Sequence, residues 1–152
     1  MMKQILARIS LLGCLLIFCS GFTSQSKVDK IPNSNHPLWD EFAKCKFVRD
    51  EVRNLTMIGY TKEVRRLNGK DVEISGFMVP LEPAKKLKHF LLNRINPTCP
   101  FCPMNKPSEV VEIFVLDPVE WDENLTSFSG RLELVNDGRR RVFFLLRDAV
   151  RK

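Results

Sequence analysis

The residues with the clearest chemical potential are two cysteines, Cys99 and Cys102, in a segment with prolines at positions 97, 100, 103 and 107. A Cys-Pro-x-Cys spacing directs two thiolates toward one point, which is what zinc and copper(I) sites need. Two ligands do not complete a site. The remaining candidates are Cys45 and His89, so the metal hypothesis names Cys99, Cys102, Cys45 and His89 as ligands.

Two other hypotheses compete for the same pair of cysteines. Cys-Pro-Phe-Cys is similar to glutaredoxin-like motifs, in which the second cysteine opens a helix whose N-terminus lowers the thiol pKa. Here Pro103 and Pro107 follow, and the next apolar run is of strand type, which argues against a thioredoxin-type fold. The third hypothesis is structural: Cys99 and Cys102 form a disulfide, or one of them pairs with Cys45. A lone C-x-x-C is a weak signal, so the structural hypothesis ranks first, metal second and redox third.

Cys45 and His89 also have plain structural interpretations. Leu38, Phe42 and Cys45 recur at helical spacing, after Pro37 at a favourable position for a first turn, so a short N-terminal helix is predicted to bury Cys45. Free cysteine is often simply a buried residue. His89 is predicted to lie on the same strand face as Leu87 and to be packed there.

The sequence favours a binding module over an enzyme. It contains no glycine-rich phosphate loop and no nucleophile elbow, and only two histidines are available as general bases. The prediction is therefore a non-enzymatic accessory module, and the alternative is a thiol-disulfide redox protein using Cys99 and Cys102.

The first 22 residues predict export. Lys3 and Arg8 precede an apolar core from Ile9 to Cys19, and small residues follow. A cleaved signal peptide is favoured over a retained membrane segment, and lipidation at Cys14 stays open. Residues 23–36 are predicted to be a polar tether, and residues 37–152 a single domain. The expected location is extracytoplasmic, in the periplasm, with membrane anchoring as an open alternative.

The charge pattern is basic but dispersed. The chain has 24 Lys and Arg against 18 Asp and Glu, a formal charge of +6. Small clusters occur at Lys85-Lys86, Arg65-Arg66 and Arg139-Arg140-Arg141, and their plain interpretation is a solvated surface. Export makes nucleic acid an unlikely partner, whereas an anionic membrane surface would suit this charge.

The apolar pattern from Thr61 onward predicts a mainly β fold. Asn68-Gly69 is a hairpin signal, and the run that follows slips by one residue at Gly76, which predicts a bend that lets one strand serve two sheets. Asp117–Asn124 is predicted to be a short helix or loop. The predicted architecture is a small five-stranded OB-like Greek-key barrel with a short N-terminal helix. The other expected strands cover residues 87–95, 110–116, 128–134 and 142–147.

Several of these segments resemble a family of exported, lipoprotein-like bacterial proteins of unknown function. The resemblance rests on Asn68–Glu82, with its Gly-Phe-x-Val-Pro-Leu-Glu core, on Phe90-Leu91-Leu92, on the cysteine-containing proline-rich loop, and on Phe128–Leu134 and Leu145–Ala149. It covers roughly residues 37–152.

This resemblance implies small periplasmic domains, some associated with metal uptake or efflux systems. It therefore implies envelope transport or assembly proteins as partners, and no established activity. Family members often carry one cysteine and one histidine in the loop. This chain departs from that pattern with Cys99-Pro100-Phe101-Cys102 and no loop histidine.

Overall fold

The computed structural model describes residues 32–97, 105–138 and 140–152. The predicted signal segment 1–22 and most of the predicted tether lie outside the described residues. The elements, in chain order, are helix α1 (Pro37–Ala43), strands β1 (Lys46–Asp50) and β2 (Leu55–Gly59), helix α2 (Lys62–Leu67), strands β3 (Asp71–Pro80) and β4 (Lys86–Asn93), a 3-10 helix (Pro107–Glu109), and strands β5 (Val110–Glu120), β6 (Thr126–Leu134) and β7 (Phe144–Arg151).

Five strands close into a barrel in the order β3-β4-β5-β7-β6, and β6 pairs back onto β3. All neighbours are antiparallel except β5 and β7, which run parallel. A five-stranded Greek-key barrel with this order is of the OB type. The predicted mainly β, OB-like barrel with a short N-terminal helix is confirmed.

Strand β3 changes partner at Gly76. Residues 71–76 pair with β6, and residues 77–80 pair with β4. A Cβ at Gly76 would lie 2.6 Å from the Asn93 carbonyl oxygen and 2.8 Å from Leu92 Cγ. The expectation that one strand serves two neighbours is confirmed by this change of partner, whereas the bend itself stays a prediction. Position 76 requires glycine because β4 approaches closely. Backbone strain is not the reason, since the glycines with positive φ in the described part of the chain are Gly69 and Gly138.

Helix α1 covers the barrel with aromatic side chains. His36 is the N-cap of α1, and its Nδ1 accepts a hydrogen bond from the Leu38 backbone N–H. Phe42 stacks on Phe144 with ring centroids 3.9 Å apart, and Trp39 donates from its indole Nε1 to the Ser75 carbonyl at 2.8 Å. Both rings are fully buried, so the predicted docking of an N-terminal helix on the core is confirmed.

The structure differs from the predicted elements in three places. Residues 62–67 form α2, capped by the Thr61 side chain, so Asn68-Gly69 joins a helix to β3 and does not connect two strands. Strand β5 continues through Pro118 to Glu120, where a short helix or loop was predicted. The segment just before Tyr60, to which the sequence pattern assigns no element, forms the antiparallel β1–β2 hairpin.

Residues 32–36 already lie against the barrel, ahead of the predicted domain start at Pro37. Asn33 pairs with Ile95, and Ser34 is fully buried and donates from Oγ to the Ser75 carbonyl at 2.6 Å. One compact unit spans Ile31–Lys152. Within the described ranges, no helix has the length and apolarity that crossing a membrane requires.

Candidate functional site

The structure describes two of the four predicted metal ligands, Cys45 and His89. Cys99 and Cys102 lie outside the described residues. Cys45 is buried behind α1, and His89 lies on the outer surface of the barrel. In the described part of the chain, no three His, Cys, Asp or Glu side chains come together as a metal site would need. The metal hypothesis therefore depends on Cys99 and Cys102.

Cys45 is a free thiol in an unreactive environment. It is 6% exposed, so the predicted burial is confirmed, although α1 ends at Ala43 and Cys45 lies just beyond it. The thiol is free. Burial raises the pKa of the Cys45 thiol and outweighs a hydrogen bond with the Thr61 backbone, which lowers it. Because the thiolate is both the nucleophile and the metal ligand, Cys45 is a poor candidate for either role in this position.

The ends of the cysteine-containing loop are anchored to the domain. Before the loop, the Arg94 guanidinium pairs with Asp40 of α1 at 2.8 Å. After the loop, the 3-10 helix packs against α1. The helix that precedes Cys45 therefore lies beside the loop's C-terminal end.

His89 points to the outer face of β4. A bulge between Leu87 and His89 shifts the register against β5, so Leu87 is fully buried while His89 has a side chain 41% exposed. The predicted common face for Leu87 and His89 is wrong, because the bulge turns the histidine outward. His89 Nε2 lies 2.7 Å from Glu112 Oε1. An ionised carboxylate can only accept a hydrogen bond, so Nε2 carries the proton.

A stacked layer of side chains extends from His89 across the outer surface of the barrel. The His89 and Phe114 rings are parallel, with centroids 4.3 Å apart, and the Arg147 guanidinium lies 4.1 Å from the centre of the Phe114 ring. Arg147 in turn donates to Glu133 at 2.7 Å. Since β5 lies between β4 and β7, Phe114 is held between the histidine and the arginine. We call His89, Glu112, Phe114, Arg147 and Glu133 the outer layer.

A groove of about 460 Å³ adjoins this layer, and we call it the arginine groove. Arg140 connects the two, because its guanidinium lies 3.6 Å from Glu112 while it also lines the groove. The lining residues come from the β1–β2 hairpin, from the 3-10 helix and from the loop between β6 and β7. They are Arg49, Asn54, Thr56, Pro107, Gly138, Arg140, Arg141 and Phe143.

The two main walls of the groove, the β1–β2 hairpin and the loop between β6 and β7, are hydrogen-bonded to each other. The Asn136 side chain makes two hydrogen bonds to the backbone of Ile58, accepting at 3.0 Å and donating at 2.9 Å. The Thr56 N–H donates to the Gly138 carbonyl at 3.2 Å. Residues on these walls are therefore positioned before any ligand arrives, which reduces the entropic cost of binding.

A larger groove of about 630 Å³ lies at the opposite end of β5, where Trp121 faces Pro80 and Pro83. Trp121 is held by a hydrogen bond from its indole Nε1 to the Met78 carbonyl at 3.3 Å. The lining of this groove also includes the charged residues Glu82, Lys85 and Glu120. The outer layer and the arginine groove are the better candidate site because they combine a stacked aromatic ring with a histidine and several arginines on adjoining surfaces.

Residues 26–139 match a family model described as "Protein of unknown function (DUF3299)". This chain belongs to the DUF3299 family. A solved structure of a DUF3299 family protein from Pseudomonas aeruginosa is 16% identical, with 81% of this chain and 85% of that chain covered and a TM-score of 0.49. No curated protein matches the chain.

In this DUF3299 chain, sequence reasoning missed most of the candidate site. Phe114, Glu112 and Arg147 stand in apolar strand runs, and nothing in the sequence distinguishes the outer face of each strand once a bulge intervenes. The available signal was the cluster Arg139-Arg140-Arg141, which was interpreted as a solvated surface.

Proposed function

We propose that this protein is an exported, non-enzymatic binding module of the cell envelope, whose ligand-binding surface is the outer layer together with the arginine groove. The observation that carries this proposal is the position of Phe114, held between His89 and Arg147 on the outer face of β5. OB-type barrels bind ligands on the face of their second and third strands, which here are β4 and β5, and at the adjoining loops.

The environments of both histidines and of Cys45 support a binding role over a catalytic one. His36 caps α1, His89 is engaged with Glu112, and Cys45 is buried with a raised thiol pKa. Each of these groups therefore has a structural partner or an unreactive environment. A rigid surface with oriented aromatic and charged groups suits recognition.

A photocrosslinking amino acid placed at Phe114 tests the proposed surface. In its native envelope, the labelled protein should form a discrete adduct through Phe114. The matched position is Leu125, which is 52% exposed on the connection between β5 and β6. Equal labelling from both positions would show that the outer layer is not a specific binding surface.

The proposal includes export and a role beside envelope transport or assembly proteins. It rests on the charged and apolar order of residues 1–22. Intact mass of the natively expressed protein should show cleavage after this segment, or a diacylglyceryl group on Cys14. An unprocessed Met1 on a cytoplasmic protein would refute export.

A metal link through the Cys99–Cys102 loop is part of the proposal, with zinc or copper(I) as the cation. Thiolates supply the affinity for both metals, so Cys99→Ser and Cys102→Ser should each abolish binding, while Cys45→Ser should have little effect. Metal analysis of protein prepared under reducing conditions checks this. Absence of both metals, with no change in melting on adding either, would exclude the link. Turnover of a dithiol substrate that depends on Cys99 would favour the redox alternative.

A further inference from the structure

The arginine groove carries positive charge that nearby acids neutralise only in part. Among the described residues that line it, three of eight are arginines and none is acidic. Arg140 lies 3.6 Å from Glu112 and from Asp137. Arg49 and Arg141 have no carboxylate within salt-bridge distance among residues 32–97, 105–138 and 140–152. The groove therefore presents a net positive field to whatever enters it.

These guanidinium groups are drawn together by the fold. Arg49 belongs to β1 and donates to the Asn54 side chain at 3.1 Å, whereas Arg140 and Arg141 belong to the loop between β6 and β7. Because the hairpin and the loop are hydrogen-bonded to each other, the backbone positions that carry the three arginines are held on the same groove. Like charges lining one groove repel, and an anion between them would turn that repulsion into attraction.

The groove also has features that suit one kind of anion. Arginine presents a planar fork of N–H groups that matches two oxygens of a phosphate at once. Thr56 and Asn54 add neutral hydrogen-bonding groups on the same wall. The buried Phe143 provides an apolar boundary on one side of the groove, where screening by water is reduced. Several arginines with neutral donors can together reach several phosphate oxygens.

We propose that the arginine groove binds a phosphate group carried by a phosphoester ligand. This inference rests on the proposed function and names the ligand chemistry of the same surface. The phosphate could belong to a lipid headgroup at the membrane surface or to a soluble phosphoester. The recognition chemistry is the same for both, and the experiment separates the sources.

The test uses the full chain and three variants of equal charge loss. Arg49→Gln and Arg141→Gln remove groove arginines, and Arg66→Gln removes an exposed arginine of α2 outside the groove. Binding of inorganic phosphate is measured by calorimetry. Binding to vesicles is measured with phosphatidylcholine alone and with added phosphatidylglycerol. Each groove variant should weaken binding about tenfold, since each removes a charge-assisted contact, while Arg66→Gln should change it by less than about twofold.

The outcomes separate the proposal from its alternatives. Groove-dependent binding of inorganic phosphate without vesicle binding supports a soluble phosphoester. Groove-dependent binding of only the phosphatidylglycerol vesicles supports a lipid headgroup. An equal loss in Arg66→Gln would indicate nonspecific attraction to a basic protein and overturn the proposal, as would the absence of both kinds of binding by the unaltered chain. If phosphate binding is absent while Phe114 still gives a selective crosslink, the phosphate assignment fails and the proposed function stands.

Discussion

The two faces of strands β4 and β5 are built on different principles. On the inner face, Phe90 and Ile113 are fully buried in the apolar core, and Phe90 packs against Phe128 with centroids 5.2 Å apart. On the outer face, His89 and Phe114 are partly exposed and are held by stacking, a guanidinium and a carboxylate. Close packing of apolar side chains stabilises the inner face, whereas a few specific contacts between pairs of side chains stabilise the outer face. Substitutions on the outer face should therefore disturb the barrel less than substitutions on the inner face.

Removing an inner aromatic ring should have the largest effect on stability. Phe90→Ala leaves a cavity in the barrel, and we expect the free energy of unfolding to fall by about 4 kcal/mol. Chemical denaturation followed by tryptophan fluorescence measures this change. A loss below about 1 kcal/mol would mean that Phe90 does not fill a closed core.

Adding volume at the crossing of β3 should have the next largest effect. In Gly76→Val the new side chain overlaps the Asn93 carbonyl, so β3 and β4 must separate, and we expect a loss of about 3 kcal/mol. Lys70→Ala, at an exposed position just before β3, should stay within about 0.5 kcal/mol. Equal denaturation midpoints for the two variants would contradict the close approach at Gly76.

Removing the outer aromatic ring should cost much less than removing the inner one. Phe114→Ala loses its stack with His89 and its contact with the Arg147 guanidinium, so we expect a fall of about 1.5 kcal/mol in the free energy of unfolding. A double-mutant cycle with Arg147→Ala isolates the cation–π part of this loss. A loss as large as that for Phe90→Ala would show that the two faces do not differ in the way described.

The inner face was predictable from the sequence, and the outer face was not. Alternating apolar residues, together with the slip at Gly76, were enough to predict an OB-like barrel and the strand that serves two sheets. The irregularity between Leu87 and His89 places these two side chains on opposite faces of β4, and the spacing of apolar residues in the sequence does not indicate it. The apolar residues of the Thr61–Leu67 segment are compatible with a strand or a helix. Capping by Thr61 and burial of Val64 stabilise the helix.

Tyr60 connects the apolar core to the β6–β7 loop, and its removal should give the smallest effect, with a distinctive pH dependence. Its ring packs edge-on against Phe144 in the core, and its hydroxyl lies 2.6 Å from the Val135 carbonyl and 2.7 Å from that of Phe143. These carbonyls flank the loop that carries Arg140 and Arg141. Tyr60→Phe removes this hydrogen bond, and we expect a loss of about 1 kcal/mol at neutral pH.

Burial raises the pKa of the Tyr60 phenol above its ordinary value. The folded state therefore retains the proton where an unfolded tyrosine, with a pKa of about 10, releases it. The Tyr60 contribution to stability is complete below that pH and is lost as the pH rises above it, because ionisation then favours the unfolded chain. Since Tyr60 is the single tyrosine, phenolate absorbance reports on it alone. The folded protein should show no phenolate at pH values where free tyrosine is ionised, and Tyr60→Phe should lack the corresponding part of the alkaline loss of stability. Ordinary titration with the fold intact would mean that the phenol is solvated and does not hold the ends of the β6–β7 loop together.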